Sequence, residues 1–231
     1  MTFRLVAAIS DIHGNLPALE AVLADLEAAA PDLVVCCGDV AAGYLEVETI
    51  DRLRALSIPA RWVRGNADRG LVEEGSLDPE RAAWLAGFEP SVEIDIVGLG
   101  RVLFCHGTPG SDEEILTEGS PEAAFTAALE GVDAGVVVGG HTHMHFVRPA
   151  AGRLFVNAGS VGRPYGEPGA HWLLLGPSLV ARRTLYDFET ARRRMAGTRW
   201  ADDGYDLASP PGRAEVVPVF ERRAGRDTSK P

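Results

Sequence analysis

The chain has 231 residues, enough for one sizeable core, and its 46% hydrophobic and 24% charged residues with a mean hydropathy of +0.01 exclude a disordered or fibrous composition. Its 22 basic against 33 acidic residues leave a net charge of -11, which argues against duplex nucleic acid and acidic membrane surfaces as partners, since both are held by clustered Lys and Arg. The only lysine is Lys230, so a Walker-type phosphate lysine and a Schiff-base lysine are both excluded.

The first residues pass directly into an apolar strand-like run at 5–9, which predicts no cleavable leader and a cytoplasmic protein. Behind Asn15 as cap and Pro17 in the first turn, Leu16, Leu19, Leu23 and Leu26 fall on one helical face. A second strand is read at 33–37. There Cys36 and Cys37 should point to opposite faces; with Cys105 they make an odd set without CxxC spacing, as in a reducing compartment. Val47, Ile50, Leu53 and Leu56 repeat the helical spacing before a third strand at 60–63. Whether 73–87 forms a lid is left open.

After about residue 90 the pattern turns strand-rich, with runs at 92–97, 102–105, 136–138, 154–156 and 171–175, broken by a helix that Ser120-Pro121-Glu122 opens and Gly131 can close. Residues 187–195 read as a further helix. The continuous apolar character of the strands suggests cover on both faces, so the fold class is α/β with two packed, mixed sheets. The domain is placed at 1–203, and 204–231 is read as a surface tail or edge extension with one short strand at 216–220. No apolar run reaches the roughly 20 residues of a membrane span.

Six of the apolar runs end in a polar side chain suited to metal or phosphate: Asp11 and His13, then Asp39, Asn66, His106, His141 with His143, and Asn157. In open α/β sheets the carboxyl ends of strands are where ligand sites assemble. Glycines flank these positions, allowing sharp turns that aim side chains inward. Four of the six histidines sit in such turns, which scattered core histidines would not do. Carboxylates, imidazoles and an amide form a mixed O/N donor set that suits first-row transition metals rather than calcium or magnesium. The seven donors Asp11, His13, Asp39, Asn66, His106, His141 and His143 exceed one tetrahedral zinc and fit two ions sharing a carboxylate.

Taken together, Asp11-Ile12-His13, Gly38-Asp39, Gly65-Asn66, His106 and Gly140-His141-Thr142-His143 resemble, in order and context, the signature of the calcineurin-like metallophosphoesterases. Asn157-Ala158-Gly159-Ser160-Val161-Gly162 looks like the small bacterial and archaeal phosphodiesterase branch, and the resemblance spans roughly residues 3–176. It implies a four-layer α/β/β/α sandwich in which Asp11, His13 and His143 bind one divalent ion, Asn66, His106 and His141 the other, and Asp39 bridges them. Manganese is the expected metal, with iron, nickel or zinc as alternatives. Two such ions against two carboxylates leave a locally cationic pocket. Ions about 3.5–4 Å apart would acidify a shared water, whose hydroxide attacks a phosphodiester in line. Asn66 and His141 are the expected catalytic side chains, orienting the ester or stabilising developing charge.

In the protein-phosphatase branch a His follows the Asn; Ala67 stands there here, so no leaving-group acid is assigned and esters with good leaving groups should be favoured. Arg64, Arg69, Arg163 and His145 are candidate substrate contacts. The substrate is expected to be a small phosphate ester, and a homo-oligomer is compatible with the sequence. Alternatives are a nucleotide pyrophosphatase or phosphomonoesterase, a non-catalytic scaffold of the same fold, and a serine hydrolase built on the G-x-S-x-G-like run at 158–162. The loop-like Arg163-Pro164-Tyr165-Gly166 that follows speaks against the last.

Overall fold

The computed structural model describes residues 1–226; Lys230 and the Pro-ended close of the chain lie outside them. In chain order the elements are β1 (Thr2–Phe3), β2 (Val6–Ile9), α1 (Leu16–Ala29), β3 (Leu33–Cys36), α2 (Glu46–Arg54), β4 (Ala60–Trp62), α3 (Asn66–Glu74), α4 (Pro79–Ala86), β5 (Val92–Ile96) and β6 (Gly100–Phe104). There follow α5 (Glu122–Ala128), β7 (Val136–Gly139), β8 (Phe146–Ala150), β9 (Arg153–Asn157), β10 (Ala170–Leu175), β11 (Leu179–Thr184), α6 (Phe188–Met195) and α7 (Arg213–Arg223).

The strands form two mixed sheets, one ordered β1-β5-β6-β7-β9-β8 and the other β11-β10-β2-β3-β4. Each has a parallel run: β2-β3-β4 in one, reaching the sheet edge at β4 and continued on its other side by antiparallel β10 and β11, and β6-β7-β9 in the other, between antiparallel β5 and β8, with β1 parallel to β5 at the edge. Because successive side chains alternate faces, Val6 and Ala8 meet Val102, Phe104, Val138 and Val156 between the sheets, while Ala7 and Ile9 pack outward under Leu19, Val22 and Leu26 of α1. On the far side Leu103, Val137 and Phe155 pack under Phe125 of α5 and Leu129. The result is the α/β/β/α layering. Cys36 and Cys37 do fall on opposite faces, one under the helices and one between the sheets.

Asn15 caps α1 as expected, its Oδ1 accepting from the Ala18 amide at 3.2 Å, and Leu16, Leu19, Leu23 and Leu26 are all buried. The segment 73–87 is largely helix: α4 begins at Pro79 behind Asp78, whose carboxylate accepts from the Glu80 and Arg81 amides, and Trp84 packs against Trp62 and Phe88. The short strand expected at 216–220 is corrected: these residues lie inside α7, because helical spacing brings Val216 and Phe220 together onto Met144. Among the described residues no helix is long and apolar enough to cross a membrane.

Candidate metal centre

The parallel runs of both sheets end at the same edge, and the turns that follow them are hydrogen-bonded into one another. Asp11 N–H donates to Gly38 O at 3.0 Å, His13 N–H to Asp39 O at 3.0 Å, Gly140 N–H to His106 O at 2.7 Å, and Gly162 N–H to Asp11 O at 3.0 Å. Asp11, His13, Asp39, His141 and His143 all adopt positive φ, between 50° and 67°. This left-handed backbone costs a non-glycine residue of order 1 kcal/mol or more. Strain concentrated on five candidate ligands is the mark of a site rather than of a packing solution.

Two groups of donors result. Asp11, His13 and His143 form one, and Asp39, His106 and His141 the other, each with ligand atoms within 4.8 Å of one another. Asp39 Oδ2 stands between them, 3.7 Å from His13 Nε2 and 3.3 Å from His106 Nε2. His143 Nε2 is 3.3 Å from Asp11 Oδ1.

The outward nitrogens determine what the inward ones can do. Nδ1–H of His13 donates to Ala42 O at 2.8 Å, that of His143 to Arg163 O at 2.8 Å, and that of His106 to Cys37 O at 2.7 Å. His141 is reversed, with Nε2–H donating to Glu113 O at 3.1 Å. In the neutral tautomer these bonds select, each ring turns a lone pair toward the centre. His13 and His143 then oppose two acceptors at 3.0 Å, an arrangement that calls for a cation.

Burial and neighbouring charge divide these imidazoles, favouring the neutral form of His13 and His141 and the charged form of His106. Burial and His143 push His13 down to about 4; burial and the His106 charge push His141 down to about 4. Against burial, the charge and hydrogen bond of Asp39 push His106 up to about 10. Asp11 and Asp39 are held below the usual carboxylate range despite burial, chiefly by His143 and by His106 respectively. A proton on His106 and a cation beside Asp39 are thus alternatives. Asn66 shows the same choice. Its amide oxygen lies 3.1 Å from His106 Nε2, whereas the amide turned over would donate to His106 Nε2 at 3.1 Å and His141 Nδ1 at 3.0 Å. The donor set fits divalent metal ions.

Asp68, a residue that no sequence motif singles out, is buried beneath the centre. Its carboxylate accepts from the amides of Asp39 at 2.8 Å, Val40 at 2.9 Å and Gly65 at 3.1 Å, tying the turn after β3 to the start of α3. Burial and the Asp39 charge push it up to about 7. Asn157 does the same for the histidine turn, its Nδ2 donating to Gly140 O at 2.5 Å and Thr142 Oγ1 at 3.1 Å. Ser160 is no exposed nucleophile: it is fully buried, donates to Asp11 O at 2.6 Å and accepts from Arg163 N–H at 2.8 Å.

Residues 5–176 match the calcineurin-like phosphoesterase superfamily domain. The chain belongs to that superfamily. It is 28% identical over 182 residues to the uncharacterized protein MJ0912 of Methanocaldococcus jannaschii, covering 70% of this chain and 71% of that one. It is 27% identical over 187 residues to phosphodiesterase YfcE of Escherichia coli, covering 77% and 90%. In fold it is similar to a metallophosphoesterase from Sphaerobacter thermophilus, with a TM-score of 0.64 at 24% identity over 83% of this chain and 92% of that chain. It is likewise similar to PH1004 from Pyrococcus horikoshii, with a TM-score of 0.67 at 16% identity over 84% and 92%.

The pocket in front of these candidate donors, about 420 Å³, is lined by His13, Asp39, Asn66, His141 and His143, while Asp11 and His106 are buried. A larger hollow of about 690 Å³ beside α6 has none of these donors, so size does not locate the site. Beyond the matched span the chain returns to the pocket: Trp200, Asp203, Phe220 and Arg223 join Arg163 and Tyr165 on its wall. The Trp200 ring lies 5.3 Å from His13, and Tyr165 stacks on His143 at 5.5 Å.

Of the other sequence candidates, Arg163 is on the pocket wall but donates to Asp203 at 2.5 Å and Tyr44 OH at 2.9 Å. Arg64 and Arg69 both face Asp112, at 3.5 and 3.1 Å. His145 does not join the site: its Nδ1–H donates to Asn157 O at 2.8 Å, and it sits across Gly159 from His171.

Proposed function

We propose that the chain is a binuclear-metal-dependent phosphodiesterase. The observation that carries this is the inward-facing set of acceptors, in which four imidazoles donate outward to backbone carbonyls and turn their remaining nitrogens toward two carboxylates and an amide. Asp11, His13 and His143 would hold one divalent ion, Asn66, His106 and His141 the other, and Asp39 both. When bound, such ions polarise phosphoryl oxygens and acidify water. Manganese is the first choice for a mixed imidazole and carboxylate set, with iron, nickel and zinc as alternatives.

The remaining work falls to the chain. Asn66 and His141 face the open pocket, placed to orient the ester and to meet charge that develops on it. The two carboxylates keep the centre anionic until ions bind, after which the excess positive charge favours phosphate. Ala67 uses its backbone amide to hold Asp39 Oδ1 at 2.8 Å and offers no proton donor. Poor leaving groups should therefore react slowly. The diesterase reading has further support in the relative named a phosphodiesterase, and the three free, buried cysteines suit a cytoplasmic enzyme.

The test is a rate panel of bis(p-nitrophenyl) phosphate, p-nitrophenyl phosphate and an alkyl monoester, each with Mn, Ni, Fe and Zn. Metal-dependent turnover with the activated diester fastest is expected. Fastest turnover of the alkyl monoester would favour the phosphomonoesterase alternative, and no turnover with any metal would favour a scaffold.

A further inference from the structure

The C-terminal segment lies outside the family-matched residues, yet it closes one side of the pocket. Helix α7 is fixed there by two contacts. Buried Glu221 accepts from Thr117 Oγ1 and Ser120 Oγ, each at 2.7 Å, and from Arg226 Nε at 2.5 Å. Phe220 packs with Met144, its ring edge-on to Tyr165 at 6.0 Å. One turn further on, Arg223 extends over the Phe220 ring at 6.0 Å and lines the same pocket as Asn66 and His141.

The other arginines around the centre already have carboxylate partners. Arg64 and Arg69 face Asp112, and Arg163 is paired with Asp203 while lying over the rings of Trp200 and Tyr205. Among the described residues Arg223 has no carboxylate partner. A planar guanidinium exposed at a pocket rim in a protein of net charge -11 is suited to bidentate capture of a phosphate. It stands on the pocket wall, on α7 rather than on the turns that carry the metal donors, which suits it to a phosphate other than the one that reacts.

Resting on the phosphodiesterase reading, we propose that Arg223 is a specificity-determining residue and that the substrate is a phosphodiester bearing a separate terminal phosphate, as in a phosphorylated dinucleotide. The reacting diester would lie over Asn66 and His141, and the terminal phosphate would reach α7.

A matched pair of substrates tests this: thymidine 5′-(p-nitrophenyl phosphate), and the same diester carrying a 3′-phosphate. The bond broken and the leaving group are identical. Arg223→Ala should raise KM for the phosphorylated compound about 10- to 100-fold, the range of a lost charge-assisted pair, with KM for the plain diester and kcat for both left near wild type. Arg223→Lys should recover part of the loss, and Arg222→Ala, one residue along and off the pocket wall, should change neither. An equal effect on both compounds, or none on either, would overturn the proposal. Calorimetric titration with thymidine 5′-phosphate and thymidine 3′,5′-bisphosphate gives a readout that needs no turnover. Tighter binding of the bisphosphate, lost in Arg223→Ala, supports the Arg223 subsite even if neither diester is cleaved, in which case only the phosphodiesterase reading fails. Equal binding of the two probes by wild type and variant sinks the subsite.

Discussion

His13 and His143 approach each other through their Nε2 atoms at 3.0 Å, although each ring has committed its Nδ1–H to a backbone carbonyl. Two lone pairs so placed repel one another unless something positive lies beside them. Chelated protein should therefore be less stable than loaded protein. At a free Mn concentration about 100 times its Kd, one site adds roughly 2.7 kcal/mol, a rise in Tm of about 5–10 °C for a chain of this size. Scanning calorimetry with and without chelator measures it, and His143→Ala should lose much of the rise. Identical melting curves would contradict the account.

Asp39 is the carboxylate placed between the two donor groups. Asp39→Asn keeps its shape and removes its charge, so it should lower turnover by about 100- to 1,000-fold, the scale of losing one electrostatic contact to a transition state. It should also reduce bound metal to one ion or fewer, read by elemental analysis. Wild-type activity with two retained ions would remove the bridging role.

Much of this centre is legible in the amino-acid sequence. All seven ligand candidates stand directly after apolar runs, and the parallel order of β2-β3-β4 and β6-β7-β9 brings those ends to one edge. The features that escape such a reading do so for physical causes. The edge strands β8 and β11 carry Pro149, Arg148, Arg182 and Arg183, so neither reads as an apolar run. Helix α3 starts on the candidate ligand Asn66 and contains Gly70, which weakens its periodicity. At 216–220 the β-branched run with Pro218 favours a strand locally, and the packing of Val216 and Phe220 on Met144 overrides that preference. The places of Trp200 and Arg223 on the pocket wall are hidden, because no local pattern reveals that a distant segment folds back over a site.

Asp68 binds three backbone amides at once. Asp68→Ala leaves them buried without an acceptor, at about 1–3 kcal/mol each. Urea unfolding should show a loss of at least roughly 3 kcal/mol, together with weaker metal retention, since the same amides set the Asp39 turn. A loss under about 1 kcal/mol would show that the turn holds without it.

Glu221 gives a pH dependence away from the metal donors. Burial opposes its ionisation, but the hydrogen bonds from Arg226, Thr117 and Ser120 outweigh that and hold its carboxyl below the ordinary value of 4.5. A depressed folded-state pKa contributes stability above the unfolded value, lost as pH falls through the folded one. Urea unfolding should therefore find Glu221→Gln less stable than wild type by about 1–3 kcal/mol at pH 7, with the gap closing as the pH drops below about 4.5. A gap that stays constant down to acid would assign the effect to packing instead.

The central claim is that the turned-in donors hold two cations, and anomalous diffraction from manganese-loaded crystals tests it most directly. The account predicts two peaks, one bordered by Asp11, His13 and His143, the other by Asn66, His106 and His141, with Asp39 reaching both. No peak at these residues, or a single one that leaves His106 and His141 without a cation, would contradict it.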